Sequence, residues 1–125
     1  MKKILIIDDD TTFQKTMRAK LESLNYEVSS ATDGEEGLNK ATTEKPDLLL
    51  LDIRMPKMDG MTMLKKLRDN KDTPQPVVFI TSNMSTDDNI SDGVLLGVKG
   101  YIIKSNETLD TIVREVESTL NPTNK

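Results

Sequence analysis

Cysteine and histidine are both absent from this sequence of 125 residues. Without cysteine there is no disulfide framework and no thiol chemistry. Without histidine there is no histidine-based catalytic triad, and a structural zinc site is not expected. Long apolar runs are missing too, since none approaches the roughly 20 residues that span a bilayer. The opening Met1-Lys2-Lys3-Ile4-Leu5-Ile6-Ile7 briefly imitates a signal peptide, but Asp8-Asp9-Asp10 cuts it off far too early. It reads as a first strand, and the expected location is cytoplasmic, with no membrane partner. A concentrated basic patch is also lacking, and the net charge is −4. The densest cations, Lys65, Lys66, Arg68 and Lys71, read as a solvated helix face. Direct contact with nucleic acid is therefore not expected.

What is present suits one compact domain with one core. Four short apolar runs stand out, at 4–7, 48–51, 77–80 and 101–103. Each is too short for a helix. None alternates, which indicates strands buried on both faces, as in a parallel sheet. A more polar, more alternating run at 26–30 suits an edge strand. The segments between read as helices. Phe13, Met17, Leu21 and Leu24 recur at helical spacing after a capping box from Thr11 to Gln14. A second helix over 35–43 is begun by Asp33-Gly34. A third over 60–68 turns Met63, Leu64 and Leu67 inward, and a fourth over 86–96 is capped by Ser85. Leu109, Ile112, Val113, Val116 and Leu120 mark a fifth. Strands alternating with helices imply an α/β doubly wound sheet. One domain over 1–121, with a frayed tail at 122–125, is the expected organisation.

In such sheets, sites form beyond the carboxyl ends of the strands. Asp8, Asp9 and Asp10 follow the first run, Asp52 the second, Thr81 and Ser82 the third, and Lys104 the last. Each has a dull explanation: a helix cap, a turn before Met55-Pro56, an ordinary strand end, a solvated lysine. Their convergence at four strand ends points instead to one shared site. Crowded carboxylates repel unless a cation intervenes, and an all-oxygen site open to water suits Mg²⁺. The metal and an ammonium can together neutralise a phosphoryl group. A carboxylate can act as the nucleophile that receives it.

Four segments carry a family resemblance. They are Ile4-Leu5-Ile6-Ile7-Asp8-Asp9-Asp10, the run from Asp47 through Asp52 to Met58-Asp59-Gly60, Val77-Val78-Phe79-Ile80-Thr81-Ser82, and Gly100-Tyr101-Ile102-Ile103-Lys104. In this order and spacing the chain resembles, over nearly its whole length, the chemotaxis-regulator-like receiver domains of two-component response regulators. The resemblance implies a flavodoxin-like fold with five parallel strands in order 2-1-3-4-5. It implies phosphorylation of Asp52 by a sensor histidine kinase or a histidine phosphotransfer protein. Because this chain has no histidine, the phosphohistidine must sit on that partner. The resemblance further implies Mg²⁺ held by Asp9 and Asp52, by the backbone carbonyl of Arg54, and through water by Asp8. Thr81 matches the switch hydroxyl, Lys104 the lysine that pairs with the phosphoryl group, and Tyr101 the aromatic that reports activation. Arg54 and Asn83 match positions that tune phosphoryl lifetime. The output surface would be the face of the 86–96 helix, the fifth strand and the last helix, which also offers a dimer contact. The partner there is a downstream protein or an effector domain beyond this sequence.

One departure concerns the residue after the lysine, usually proline in the family and here Ser105. A cis bond before a non-proline residue costs about 2.5–4 kcal/mol, against about 0.5–1 before proline. A trans Lys104–Ser105 bond is therefore expected, leaving Ser105 or Asn106 free to cap the last helix. Two other classes compete. A protein-binding module of the same fold that ignores phosphate would not need the full set Asp8, Asp9, Asp52, Thr81 and Lys104. A small-molecule enzyme of the aspartate-nucleophile phosphatase type needs a second Asp where this chain has Arg54. A dinucleotide-binding enzyme needs a glycine-rich turn where this chain has Asp8-Asp9-Asp10. The expectation is a signalling switch, not an enzyme on small molecules.

Overall fold

A computed structural model describes residues 2–53, 55, 57–82, 97–104 and 108–121. Five strands, β1 (Lys3–Ile7), β2 (Glu27–Ala31), β3 (Leu48–Asp52), β4 (Val77–Ser82) and β5 (Gly100–Ile103), form one sheet in the order β2-β1-β3-β4-β5. Every neighbouring pair is parallel. Four described helices cover it: α1 (Thr11–Glu22), α2 (Gly34–Glu44), α3 (Gly60–Asp69) and α4 (Leu109–Leu120). The expected fold and strand order are both observed. The helix expected over 86–96 and its Ser85 cap lie outside the described residues. So do Arg54, Asn83, Ser105, Asn106 and the 122–125 tail.

The apolar runs lack alternation because both faces of the sheet are covered. Ile4, Ile6, Leu48, Leu50, Phe79 and Ile102 pack with Met17 and Leu21 of α1 and with Ile112, Val113 and Val116 of α4. The intervening residues Leu5, Ile7, Leu49, Leu51, Val78 and Ile80 pack with Ala41 of α2 and Met63, Leu64 and Leu67 of α3. Burying a side chain of this kind contributes about 1.5–3 kcal/mol. β2 is an edge strand, as its polar alternation suggested, and starts one residue later than expected. Tyr26 precedes it, buried, with its hydroxyl donating to Glu117 at the end of α4 and accepting from Asn121 at 2.8 Å. Burial and the Glu117 carboxylate push its phenol up to about 12.

Three local expectations need correction. The cap of α1 is Asp10, whose side chain accepts from the Thr12 and Phe13 amides, not a Thr11–Gln14 box. An ionised carboxylate beside the positive end of the helix is the better acceptor there. Leu24 does not join the α1 stripe. The helix ends at Glu22, the chain turns through Asn25 at φ 71, and Leu24 stays exposed. The N-cap of the last helix is Thr108, which accepts from the Thr111 amide at 3.1 Å, where the expected cap was Ser105 or Asn106.

Candidate functional site

Side-chain alternation along the strands determines which residues meet. Leu48 and Leu50 face the α1 and α4 side, and Asp52 continues their parity at the end of β3. Phe79 and Ile102 face the same side, so Thr81 in β4 and Lys104 just beyond β5 follow them. Asp8 follows Ile4 and Ile6 in the same way. The register places Asp52 beside Thr81. Asp8, Asp52, Thr81 and Lys104 thus project from four adjacent strands onto one side, at the carboxyl edge.

Asp8 is fully buried. Its Oδ2 accepts from Lys104 Nζ at 2.6 Å and its Oδ1 from the Asp10 amide at 2.9 Å. The Lys104 side chain is only 8 % exposed. Its backbone amide donates to the Ser82 carbonyl at 2.7 Å, extending the β4–β5 pairing past the last strand residue. Asp9 is exposed, and Asp52 is largely buried. One carboxylate oxygen from each of Asp8, Asp9 and Asp52 can be chosen so that all lie within 4.8 Å of one another. Crowding of three carboxylates, one of them paired with Lys104, is the kind of arrangement that a divalent cation relieves.

Thr81 Oγ1 is fully buried and, among the described residues, has no hydrogen-bond partner. A buried hydroxyl left in this state costs about 1–3 kcal/mol. It is a vacant donor beside Asp52, suited to an oxygen-rich group carried there. Tyr101 is half-buried and packs with the cluster on the α2 and α3 side, next to Ile80 in register. The Asp8-Asp9-Asp10 run therefore divides its tasks. Asp10 caps a helix, and the other two line the site.

Several contributors were not legible as such in the sequence. Gln14 is buried in the α1 stripe with Met17 and Leu21, and its Nε2 donates to the carbonyls of Asp8 at 2.5 Å and Ala31 at 2.6 Å. It pins the acidic loop to the end of β2. A polar residue at an inward helical position was the available signal. The Phe13 ring lies under the Lys104 ammonium, 4.5 Å from centroid to Nζ. The loop after Asp52 is clasped by two glycines. A Cβ on Gly34 would come within 2.2 Å of the Met58 carbonyl oxygen, and one on Gly60 within 2.1 Å of the Asp52 carbonyl oxygen. The Gly60 amide donates to the Ile53 carbonyl at 2.7 Å, and Asp59 caps α3.

Residues 4–117 match the family model of the response regulator receiver domain. The chain belongs to that family. A curated relative of this receiver is the alkaline phosphatase synthesis transcriptional regulatory protein PhoP of Bacillus subtilis. The two are 41 % identical over 103 residues, covering 82 % of this chain and 42 % of that protein. The receiver thus spans less than half the length of that relative. Among solved structures, the CheY-like receiver domain protein of Methanospirillum hungatei superimposes with a TM-score of 0.89 at 29 % identity, covering 98 % of this chain and 95 % of that one. A CheX–CheY complex from Borrelia burgdorferi with BeF3 and Mg²⁺ gives a TM-score of 0.84 at 27 % identity, covering 95 % of this chain and 89 % of that one. Phosphorylation-controlled signalling in two-component systems is the general role of the family, whose members bind Mg²⁺ in an acidic pocket and work with histidine kinases and effectors. Among the described residues, no helix is long and apolar enough to cross a membrane.

Proposed function

We propose that Asp52 accepts a phosphoryl group from a phosphohistidine on a separate protein, and that this receiver is a phosphorylation-controlled switch within residues 1–121. The observation that carries the reading is the buried Thr81 hydroxyl beside Asp52 in register, without a hydrogen-bond partner among the described residues. An Asp52 carboxylate oxygen attacks phosphorus. The new O–P bond forms as the P–N bond to the partner's imidazole breaks, and the imidazole leaves with that electron pair and takes a proton from solvent. Lys104 turns from Asp8 towards the new phosphoryl oxygens, and Thr81 donates its hydroxyl hydrogen to one of them. Asp9, Asp52 and the Arg54 carbonyl would hold Mg²⁺, with Asp8 acting indirectly, and the ion would supply charge neutralisation. The domain thereby catalyses its own phosphoryl transfer and hydrolysis, and is otherwise not an enzyme. Its partners are a sensor histidine kinase or histidine phosphotransfer protein and a downstream protein or effector domain, and it works in the cytoplasm. Treatment with acetyl phosphate and Mg²⁺, followed by mass spectrometry of the intact chain and its peptides, tests this. One phosphoryl group on Asp52 is expected. An unmodified chain would favour a phosphate-independent binding module.

The metal assignment has its own test. Both oxygens of Asp8 are already engaged, by Lys104 and by the Asp10 amide, whereas Asp9 is exposed. Asp9→Ala should therefore weaken Mg²⁺ binding more than Asp8→Ala. The loss for the indirect residue is about 10–100-fold. Titration of both variants with Mg²⁺ measures the order, and a reversed order would exchange the two roles.

The switch follows from differential interaction with two states. The bond from Thr81 and the pair with Lys104 exist only when the phosphoryl group is present. Thr81 moving towards that group shifts the end of β4, and Tyr101, which packs on the other side of the sheet beside Ile80, turns in response and alters the face of β5 and α4. Thr81→Ala should accept phosphate yet fail to transmit it. Amide chemical-shift changes on phosphorylation of wild type should spread over β5 and α4, and in Thr81→Ala stay near Asp52. Identical shift patterns would break the link between the hydroxyl and that face.

A further inference from the structure

Among the described residues, two groups meet the Lys104 ammonium. Asp8 takes its ammonium at 2.6 Å, and the face of Phe13 lies 4.5 Å below the same nitrogen. We infer that Phe13 is a positioning residue for phosphoryl transfer, holding the Lys104 ammonium in the site by a cation–π contact while it passes from Asp8 to the phosphoryl group. The inference rests on the reading of Asp52 as the phosphorylated residue. It starts from the exchange that Lys104 must perform. The Asp8–Lys104 pair is nearly buried, with side chains 0 % and 8 % exposed, so neither charge is well hydrated. Breaking such a pair leaves each ion without compensation. A lysine has a flexible four-carbon stem, and an ammonium freed from its carboxylate gains hydration by swinging outwards. The ring opposes that escape. Its negative face attracts the cation without occupying the direction of either carboxylate or phosphoryl oxygen, so the contact survives the change of partner.

The ring is itself held. Phe13 sits in the first turn of α1, whose amides at Thr12 and Phe13 are fixed by Asp10, and it packs half-buried against the α1 and α4 side of the core. Its Gln14 neighbour ties the same turn to the Asp8 carbonyl. The ring, the acidic loop and the lysine are thus joined by direct contacts. A plain core role for Phe13 would require only apolar volume, which leucine supplies. The positioning role requires an electron-rich face.

The test uses the full chain with acetyl phosphate and Mg²⁺. Phe13→Leu should lower the rate of Asp52 labelling by roughly three- to thirtyfold, the range expected for a cation–π contact between partly and fully desolvated partners. Phe13→Tyr, which keeps the ring face, should label like wild type. Pentafluorophenylalanine at position 13 keeps the shape but removes the attraction, and should behave like leucine. It also keeps the test open if leucine impairs folding. The Lys104 ε-methylene protons should resonate upfield in wild type and Phe13→Tyr, and move back in Phe13→Leu. Equal labelling rates for the phenylalanine, leucine and fluorinated proteins, with labelled wild type, would overturn the inference alone. Failure of wild type to label would overturn the functional reading beneath it.

Discussion

Asp52→Asn is expected to abolish phosphoryl labelling while leaving the protein folded. The amide nitrogen and oxygen of asparagine are poor nucleophiles, so no acyl phosphate forms whatever the state of the rest of the site. The fold should tolerate the change, because it removes one of three mutually close carboxylates and with it part of their repulsion. Lys104 remains paired with Asp8, which does not depend on Asp52. Thermal unfolding of the variant should therefore match or slightly exceed wild type in the absence of metal. Labelling of wild type should vanish on chelation of divalent cations, for want of neutralisation of the incoming phosphoryl charge. Mass spectrometry of both proteins after acetyl phosphate treatment, with and without chelator, gives the result. Equal labelling of the asparagine variant would mean that the nucleophile is another residue.

Gly60→Ala should be costly out of proportion to its size. In a helix interior, alanine is favoured over glycine by about 1 kcal/mol. At this position a Cβ would stand 2.1 Å from the Asp52 carbonyl oxygen and 3.0 Å from the Asp52 carbonyl carbon and the Ile53 Cα. All three are backbone atoms and have no rotamer to escape into. Either α3 lifts from the sheet, losing the bond from the Gly60 amide to the Ile53 carbonyl, or the strand end carrying Asp52 shifts. Steric strain wins over propensity, and the net destabilisation should reach the upper part of the roughly 1–3 kcal/mol range for overpacking. Labelling of the folded fraction should also fall, since Asp52 is displaced relative to Thr81. Lys65→Ala, an exposed site on the same helix, serves as control and should stay within about 0.5 kcal/mol of wild type. Urea unfolding of the three proteins measures the difference. A Gly60→Ala protein as stable as the control would mean that the α3 start can move freely.

The sequence by itself determined the sheet and the edge of it at which Asp8, Asp52, Thr81 and Lys104 gather. Runs such as Leu48-Leu49-Leu50-Leu51 have no polar face, so they belong to strands covered on both sides, and connections in such sheets bring the carboxyl ends of the strands together. Asp8, Asp52, Thr81 and Lys104 were legible as one site because each is the first polar residue after an apolar run. What only the tertiary structure decided is how these groups are held. The division of Asp8-Asp9-Asp10 into two site residues and a helix cap depends on where α1 begins, and capping strength is too local and too similar among Asp, Thr and Ser to fix that point. Phe13 looked like an ordinary member of a helix stripe, and Gln14 like the far end of a capping box. Their roles arise because α1 packs over the carboxyl edge and presents an amide to Asp8 and a ring to Lys104, partners 6 and 91 residues away in the chain. Gly34 and Gly60 read as helix starts, but the need for glycine there comes from backbone approaching backbone between separate elements. Periodicity reports which residues turn inward. It carries no information about which two inward residues meet, because that distance is set by packing between elements far apart in the chain.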